Sequence, residues 1–313
     1  MDPARQLDPV TTSPDVADGP PVTALVLGGG GSVGNAWLIG VIAGLHHAGL
    51  DVTGADVIIG TSAGATAAAQ LLGATPAELF AAIVDAAPHV KTSRAGSVRG
   101  PAPSRPATTS LETTSAIIAA AADAADMRRR LGAWALENGA TSDPEAQARW
   151  RSTVAARLPR QGWPERRLLI TAVDATTGDP VVFDRHSGVD LVDAVAASCS
   201  SGFAYRIGGG RYIDGGYRSN ADNADLAAGS ARVLVLSPFG GRSRTPAGWG
   251  THLATQVDEL CERGSSVETI FPDDHSLTVF GDNMMDLSRR APAARAGCDQ
   301  GGALAGPLTG FWR

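Results

Sequence analysis

The chain is poor in the features that would assign it to several common classes. Lys91 is its only lysine, aromatic residues make up 5% and cysteines number three. Cys199, Cys261 and Cys298 are odd in number, widely spaced and free of any CxxC pair, which excludes a disulfide framework or a zinc ribbon and favours a reducing, cytoplasmic setting. Positive charge is in deficit, 26 basic against 32 acidic residues for a formal net charge of −6. Bulk electrostatics therefore gives no pull toward nucleic acid, and no nucleic-acid partner is expected. Residues 1–20 have neither a basic start nor an apolar segment after it, so they are not a signal peptide. Rich in Pro, Asp and Thr, they read as a disordered leader ahead of one domain over 21–313. The sequence shows no internal repeat.

Residues 22–45 carry no charge and are long enough to span a bilayer. The four glycines from Gly28 to Gly31, then Gly34 and Asn35, break that stretch in the middle. A buried strand, turn and helix explain it better than a membrane span. The strand is expected over 22–27 and the helix over 34–48. A second strand, 56–59, leads into a helix over 63–73. Thr75, Pro76 and Glu78 then have the spacing of a capping box with proline at the first helical position. Residues 89–110 hold Lys91, Arg94, Arg99 and Arg105 among prolines, serines and threonines, and read as a mobile basic loop, either a plain surface insertion or a lid. Helices are expected over 111–137, 143–158, 188–199, 250–263 and 282–297. Strands are expected over 167–174 and 180–184, which flank a hairpin turn at Thr177-Gly178-Asp179, and over 211–213, 232–237 and 267–271. Strands alternating with helices imply an α/β layered fold with a mostly parallel sheet.

Three short motifs carry the chemistry. Gly60-Thr61-Ser62-Ala63-Gly64 follows a β-branched strand and precedes an Ala-rich helix, the context of a nucleophile elbow that lifts a serine hydroxyl out of the backbone. Gly28 to Gly34 can offer a row of backbone N–H groups at a helix start, where developing negative charge is favoured. The same loop matches GxGxxG through Gly29, Gly31 and Gly34. A dinucleotide fingerprint also needs an acid at the end of the second strand, and neither Asp51 nor Asp56 stands at that end. The third motif is Asp214-Gly215-Gly216, an aspartate at a strand end followed by a tight turn. Taken alone it is an ordinary Asp-Gly turn. A serine hydroxyl needs a base, and besides Asp214 the histidines His252 and His275 follow in the order a Ser–acid–His triad would require. His46, His47, His89 and His186 precede Asp214. Asp273-Asp274-His275 is compact and acidic but lacks a matching group of metal ligands, so no metal or organic cofactor is expected.

Together the three motifs, their order and their strand contexts resemble the patatin-like phospholipase family. Ala196-Ala197-Ser198 and Asn220 fit the same pattern, and the resemblance covers roughly residues 22–240. It implies a three-layer α/β/α fold and a Ser–Asp dyad without histidine, with Ser62 as nucleophile and Asp214 as base. Gly29, Gly30 and Gly31 would surround the oxyanion, with Gly34, Gly60, Gly64, Gly215 and Gly216 as motif glycines. The implied activity is hydrolysis of fatty-acyl esters, with a lipid or small acyl ester as substrate and peripheral contact with a membrane. The same residues would serve an acyltransferase. A non-catalytic, phosphate-binding α/β module is the reading from a different class. The chain departs from the family pattern at Val33, where an arginine usually precedes the last loop glycine, and at Asp222, where a proline often follows the asparagine. The first departure removes a cation from the loop and bears on phospholipid preference.

Overall fold

The computed structural model describes residues 23–86 and 107–313. The expected leader 1–20 and positions 89–106 of the expected basic loop lie outside the described residues. Positions 107–110 belong to a helix rather than to that loop.

The chain runs β1 (Thr23–Leu27), α1 (Gly31–His47), β2 (Val57–Gly60), α2 (Ala63–Leu71), α3 (Pro76–Val84), α4 (Ala107–Ala120), α5 (Ala124–Leu136), the single turn α6 (Gly139–Ser142) and α7 (Pro144–Ala155). It continues through β3 (Arg167–Asp174), β4 (Pro180–Phe183), α8 (Leu191–Ser198), β5 (Tyr205–Ile207), β6 (Gly210–Asp214), β7 (Arg232–Leu236), α9 (Leu253–Glu262), β8 (Ser266–Ile270), α10 (Asp274–Phe280) and α11 (Arg290–Trp312). One sheet orders the strands β5-β6-β3-β2-β1-β7-β8, with β4 also paired to β3. The pairs β1–β2, β1–β7, β2–β3 and β7–β8 are parallel, while β4 and β6 run antiparallel to β3.

Alternation along the strands builds the layers. Leu25, Leu27, Ile58, Leu168, Ile170, Leu234 and Leu236 face a large core with α1 and α11. The intervening Ala24, Val26, Val57, Ile59, Leu169, Val233 and Val235 face a second core with Leu253 and Leu260 of α9. Helices thus cover both faces of a mostly parallel sheet, the three-layer α/β/α arrangement expected. The uncharged stretch 22–45 is β1, a glycine turn and α1, and α1 is buried on nearly every side. Among the described residues no helix is long and apolar enough to cross a membrane.

Several expected boundaries move. The helix expected over 111–137 begins at Ala107 and breaks after Ala120, where Asp123 restarts it as the cap of α5, accepting from Asp126 N at 2.7 Å. The acidic stretch Asp273-Asp274-His275 is a helix start: Asp273 accepts from Ser276 N, and α10 follows. The helix expected over 282–297 begins only at Arg290 and runs to Trp312. Strand β5, absent from the sequence reading, pairs with β6. The Thr75–Glu78 capping box forms as the spacing predicts.

Candidate active site

The crest of the sheet is set by the carboxyl ends of β1 and β2, the usual location of sites in open α/β sheets. Between β2 and α2 the chain turns sharply, and Ser62 takes φ 52° and ψ −113°. A side chain in the positive-φ region away from the left-handed well costs about 1–3 kcal/mol, and such strain persists where the surroundings enforce it. Here the enforcement is close packing. A Cβ on Gly64 would lie 1.9 Å from Leu27 O, so α2 starts directly against the end of β1 only because that position is glycine. Gly60 is equally tight, its Cβ position being 2.6 Å from Ala65 Cα.

The strained turn aims Ser62 at Asp214. Ser62 Oγ donates to Asp214 Oδ2 at 2.8 Å, and the other carboxylate oxygen accepts from Gly216 N at 2.8 Å. Asp214 closes β6 opposite Ala172 and is only 7% exposed. Gly215 lets the turn lie on β3, since its Cβ would meet Thr171 Oγ1. Burial pushes the Asp214 carboxyl up to about 6, opposed by the Gly216 N–H and the Ser62 hydroxyl. A carboxylate tuned upward is a better base than a solvated one and is still ionised at neutral pH.

The glycine loop faces this pair. Gly29 lies against Ser62, its Cβ position being 3.7 Å from Ser62 Cβ. Its N–H, expected at the oxyanion, is already donated to Ala221 O at 2.7 Å and instead anchors the loop. The N–H groups of Gly30 and Gly31 have no protein partner among the described residues. Gly31, at φ 60°, begins α1, so both groups sit at the positive end of a 17-residue helix. Gly34 N caps back to Gly30 O, and both glycines pack on Pro238. Ala63 N, just after the serine, is likewise unpaired among the described residues.

Supporting side chains hold the site together, of which only Ser198 and Asn220 belong to the pattern visible in the sequence. Asn223, itself at φ 56°, donates from Nδ2 to Thr61 Oγ1 and to Gly215 O, tying the elbow to the aspartate turn. Thr171 Oγ1 donates to the same threonine at 2.9 Å. Ser198, noted only as part of a matching segment, accepts from Ser62 N at 2.9 Å, and Cys199 Sγ donates to Ser62 O. Asn220 accepts from the N–H groups of Asp222 and Asn223, shaping the turn that carries Ala221. Small polar residues of this kind are common in turns, so only the tertiary arrangement distinguishes them.

The histidines among the described residues take no part in this network. His252 pairs with Thr245 O at 2.7 Å, and His275 is exposed in the first turn of α10. Val33, at the family's arginine position, is fully buried. The cation beside the loop comes from the other end of the chain, where Arg290 Nη1 donates to Ser32 O at 2.8 Å and to Asn35 Oδ1 at 3.1 Å. Among the described residues no group of three or more His, Cys, Asp or Glu side chains is gathered as a metal site.

Asp222, in place of the family's proline, is 2% exposed and presses its Oδ1 against Gly28, and that oxygen has no hydrogen-bond partner among the described residues. Burial pushes its carboxyl up to about 7, with Ser237 opposing. A carboxyl raised from about 4 in the unfolded chain contributes relative stability that is complete below about pH 4 and lost as pH rises through about 7. Asp222→Asn removes the buried charge and should stabilise the protein by up to ~4 kcal/mol at pH 8 and by almost nothing at pH 4. Thermal melts of both proteins at the two pH values measure this; an equal or lower melting temperature for the variant at pH 8 would contradict it.

The model of the family described as patatin-like phospholipase matches residues 25–227, well over half of the chain. The chain belongs to the patatin-like phospholipase family. No curated protein matches the sequence. Among solved structures, VipD from Legionella pneumophila is similar at 14% identity and a TM-score of 0.41, over 91% of this chain and 66% of its own. The type III effector protein ExoU is similar at 16% identity and a TM-score of 0.32, over 90% of this chain and 54% of its own. The chain thus spans about two thirds and about half of the lengths of these two proteins.

Proposed function

We propose that this chain is a serine lipid-acyl hydrolase that cleaves fatty-acyl esters through a covalent acyl-enzyme, with Ser62 as nucleophile and Asp214 as the only base. The observation that carries the proposal is the 2.8 Å Ser62 Oγ–Asp214 Oδ2 hydrogen bond at a strained elbow facing a glycine loop. Asp214 accepts the Ser62 proton as Oγ attacks the ester carbonyl. The oxyanion is stabilised by the N–H groups of Gly30 and Gly31, unpaired among the described residues, each such donor worth about 10²–10³ in rate. The C–O bond breaks, and the alcohol leaves with the proton held on Asp214. Water then attacks the acyl-Ser62 ester with Asp214 again as base, releasing the fatty acid and restoring the hydroxyl.

The reading takes residues 21–313 as one catalytic domain acting on lipid or small acyl esters. A membrane surface is where such substrates are met, and residues 89–106 contribute four basic and no acidic residues to that encounter. An acyltransferase would use the same first half-reaction with an alcohol in place of water.

The test is product analysis. Purified protein is incubated with phosphatidylcholine and phosphatidylglycerol vesicles, emulsified triacylglycerol and p-nitrophenyl esters, and free fatty acid is quantified. Release by the wild type and not by Ser62→Ala supports the proposal. Cleavage of none of these esters by folded wild type, or equal release by Ser62→Ala, would sink it. Acyl groups appearing on added glycerol rather than as free acid would identify a transferase.

A further inference from the structure

A cavity of about 470 Å³ lies between α3, the chain leaving α7 and the start of α11. That is within the usual range for small-molecule sites. It adjoins the reacting centre through side chains. Gln70 and Arg290 line it, both bond to Asn35, and Asn35 Nδ2 donates to Ala63 O beside the nucleophile. Leu79, Ile83, Leu158 and Leu287 supply an apolar wall, and Arg157 and Arg290 line the same space.

Of the two guanidiniums, the part-buried Arg290 is placed against ordinary electrostatics, while Arg157 is exposed beside it. Among the described residues neither has a carboxylate within ion-pair distance. Among the described residues Arg290 bonds only to neutral oxygens, and only through Nη1, which leaves Nη2 and Nε without a partner there. It sits at the first turn of α1, the end of a helix that repels a cation. Arg157 lies over the Trp150 ring at 5.6 Å. Burial first, and then repulsion from Arg157, hold the Arg290 guanidinium below its ordinary value. Two cations without an acidic partner among the described residues, and a positive helix end, at one part-apolar cavity are completed by an anion that brings its own hydrocarbon.

We infer that this cavity binds a single-chain anionic amphiphile. Its carboxylate or phosphate head lies between Arg157 and Arg290, and its alkyl chain lies along Leu79, Ile83, Leu158 and Leu287. Fatty acids and lysophospholipids are such molecules, and both are products of the proposed hydrolysis. The inference rests on that reading for the origin of the ligand only, because binding needs no turnover.

The experiment is isothermal titration calorimetry on the full chain carrying Ser62→Ala, with laurate, dodecyl phosphate, inorganic phosphate and dodecyl maltoside, each below its micellar concentration. Laurate, dodecyl phosphate or both are expected to bind, and the stronger of the two tells a fatty-acid head from a phospholipid head. Arg157→Gln should weaken that binding at least about tenfold, the loss expected for one charge-assisted contact, and Arg157→Glu should weaken it further. Arg157 is exposed, so these variants keep the fold, whereas Arg290→Gln also releases Ser32 and Asn35. Absence of binding, equal binding of the maltoside, equal binding of inorganic phosphate, or no effect of Arg157→Gln would overturn the inference. Hydrolysis by wild type without amphiphile binding would leave the proposed reaction standing. Binding by a protein that cleaves no ester would leave the site and remove the reaction.

Discussion

Asp214→Asn is expected to lower kcat/KM for a short-chain p-nitrophenyl ester by about 10²–10⁴ at pH 8, the loss that accompanies removal of a general base, while making the protein more stable. The amide keeps the shape of the carboxylate. Its oxygen can still accept from Gly216 N, and its NH2 can donate to Ser62 Oγ, where Asp214 now accepts. What disappears is the ability to take a proton. The stability gain follows from the Asp214 carboxyl being raised to about 6 by burial. Compared with an unshifted carboxyl, the group contributes stability fully present below about pH 4 and lost as pH rises through about 6, so the ionised form costs ~3 kcal/mol at pH 8. The variant should therefore melt higher than wild type at pH 8 and lose that advantage near pH 4. The same carboxyl sets the wild-type profile: kcat/KM should fall tenfold per pH unit below about pH 6. Activity within threefold of wild type in Asp214→Asn would show that another group takes the proton.

Gly301→Val should unfold the protein or destabilise it by more than about 4 kcal/mol, a loss reached only by a few mechanisms such as severe core overpacking. Helices α1 and α11 touch backbone to backbone through reciprocal glycines. Cβ atoms would lie 2.2 Å from Val41 O at Gly301, 2.6 Å from Trp37 O at Gly297, and 2.1 Å from Ala294 O and Cys298 O at Gly40 and Gly44. The clashing atoms are main chain, so one side chain cannot move aside to make room. A Cβ at Gly306, on the same helix, would meet nothing within 4 Å among the described residues. Gly306→Ala should then be neutral or stabilising by up to ~1 kcal/mol through helix propensity alone. Urea denaturation of the two variants checks both statements, and similar midpoints would refute the packing argument.

Those glycines also explain where the sequence reading stopped. Glycine is a poor helix former, so the Gly-rich C-terminal part of the chain does not read as a 23-residue helix. Tertiary contact with α1 outweighs that propensity, and nothing local records it. Strand β5 was hidden because three residues are too few to show a period. By contrast β1, β2 and β7 were legible because β-branched and aliphatic runs end at glycine or polar turns. Helix α3 was legible because capping chemistry is local.

The candidate site divides in the same way. Ser62, the glycine loop and Asp214 each belong to a short contiguous motif, and the fold brings those three motifs together. The residues that hold them, Asn223, Thr171 and Ser198, reach across long sequence separations and have ordinary turn or strand identities. The absence of an arginine at Val33 was visible from the residue itself. The arrival of Arg290 at the same loop, from more than 250 positions away, was not.

The central claim is that Ser62 is a nucleophile activated by its contact with Asp214. Labelling with a fluorophosphonate probe, followed by mass spectrometry of the modified peptide, tests it most directly. A single adduct is expected on Ser62 in the wild type and in His275→Ala, with much slower labelling in Asp214→Asn and none in Ser62→Ala. No adduct on well-folded wild type, or an adduct that persists on another residue in Ser62→Ala, would contradict it.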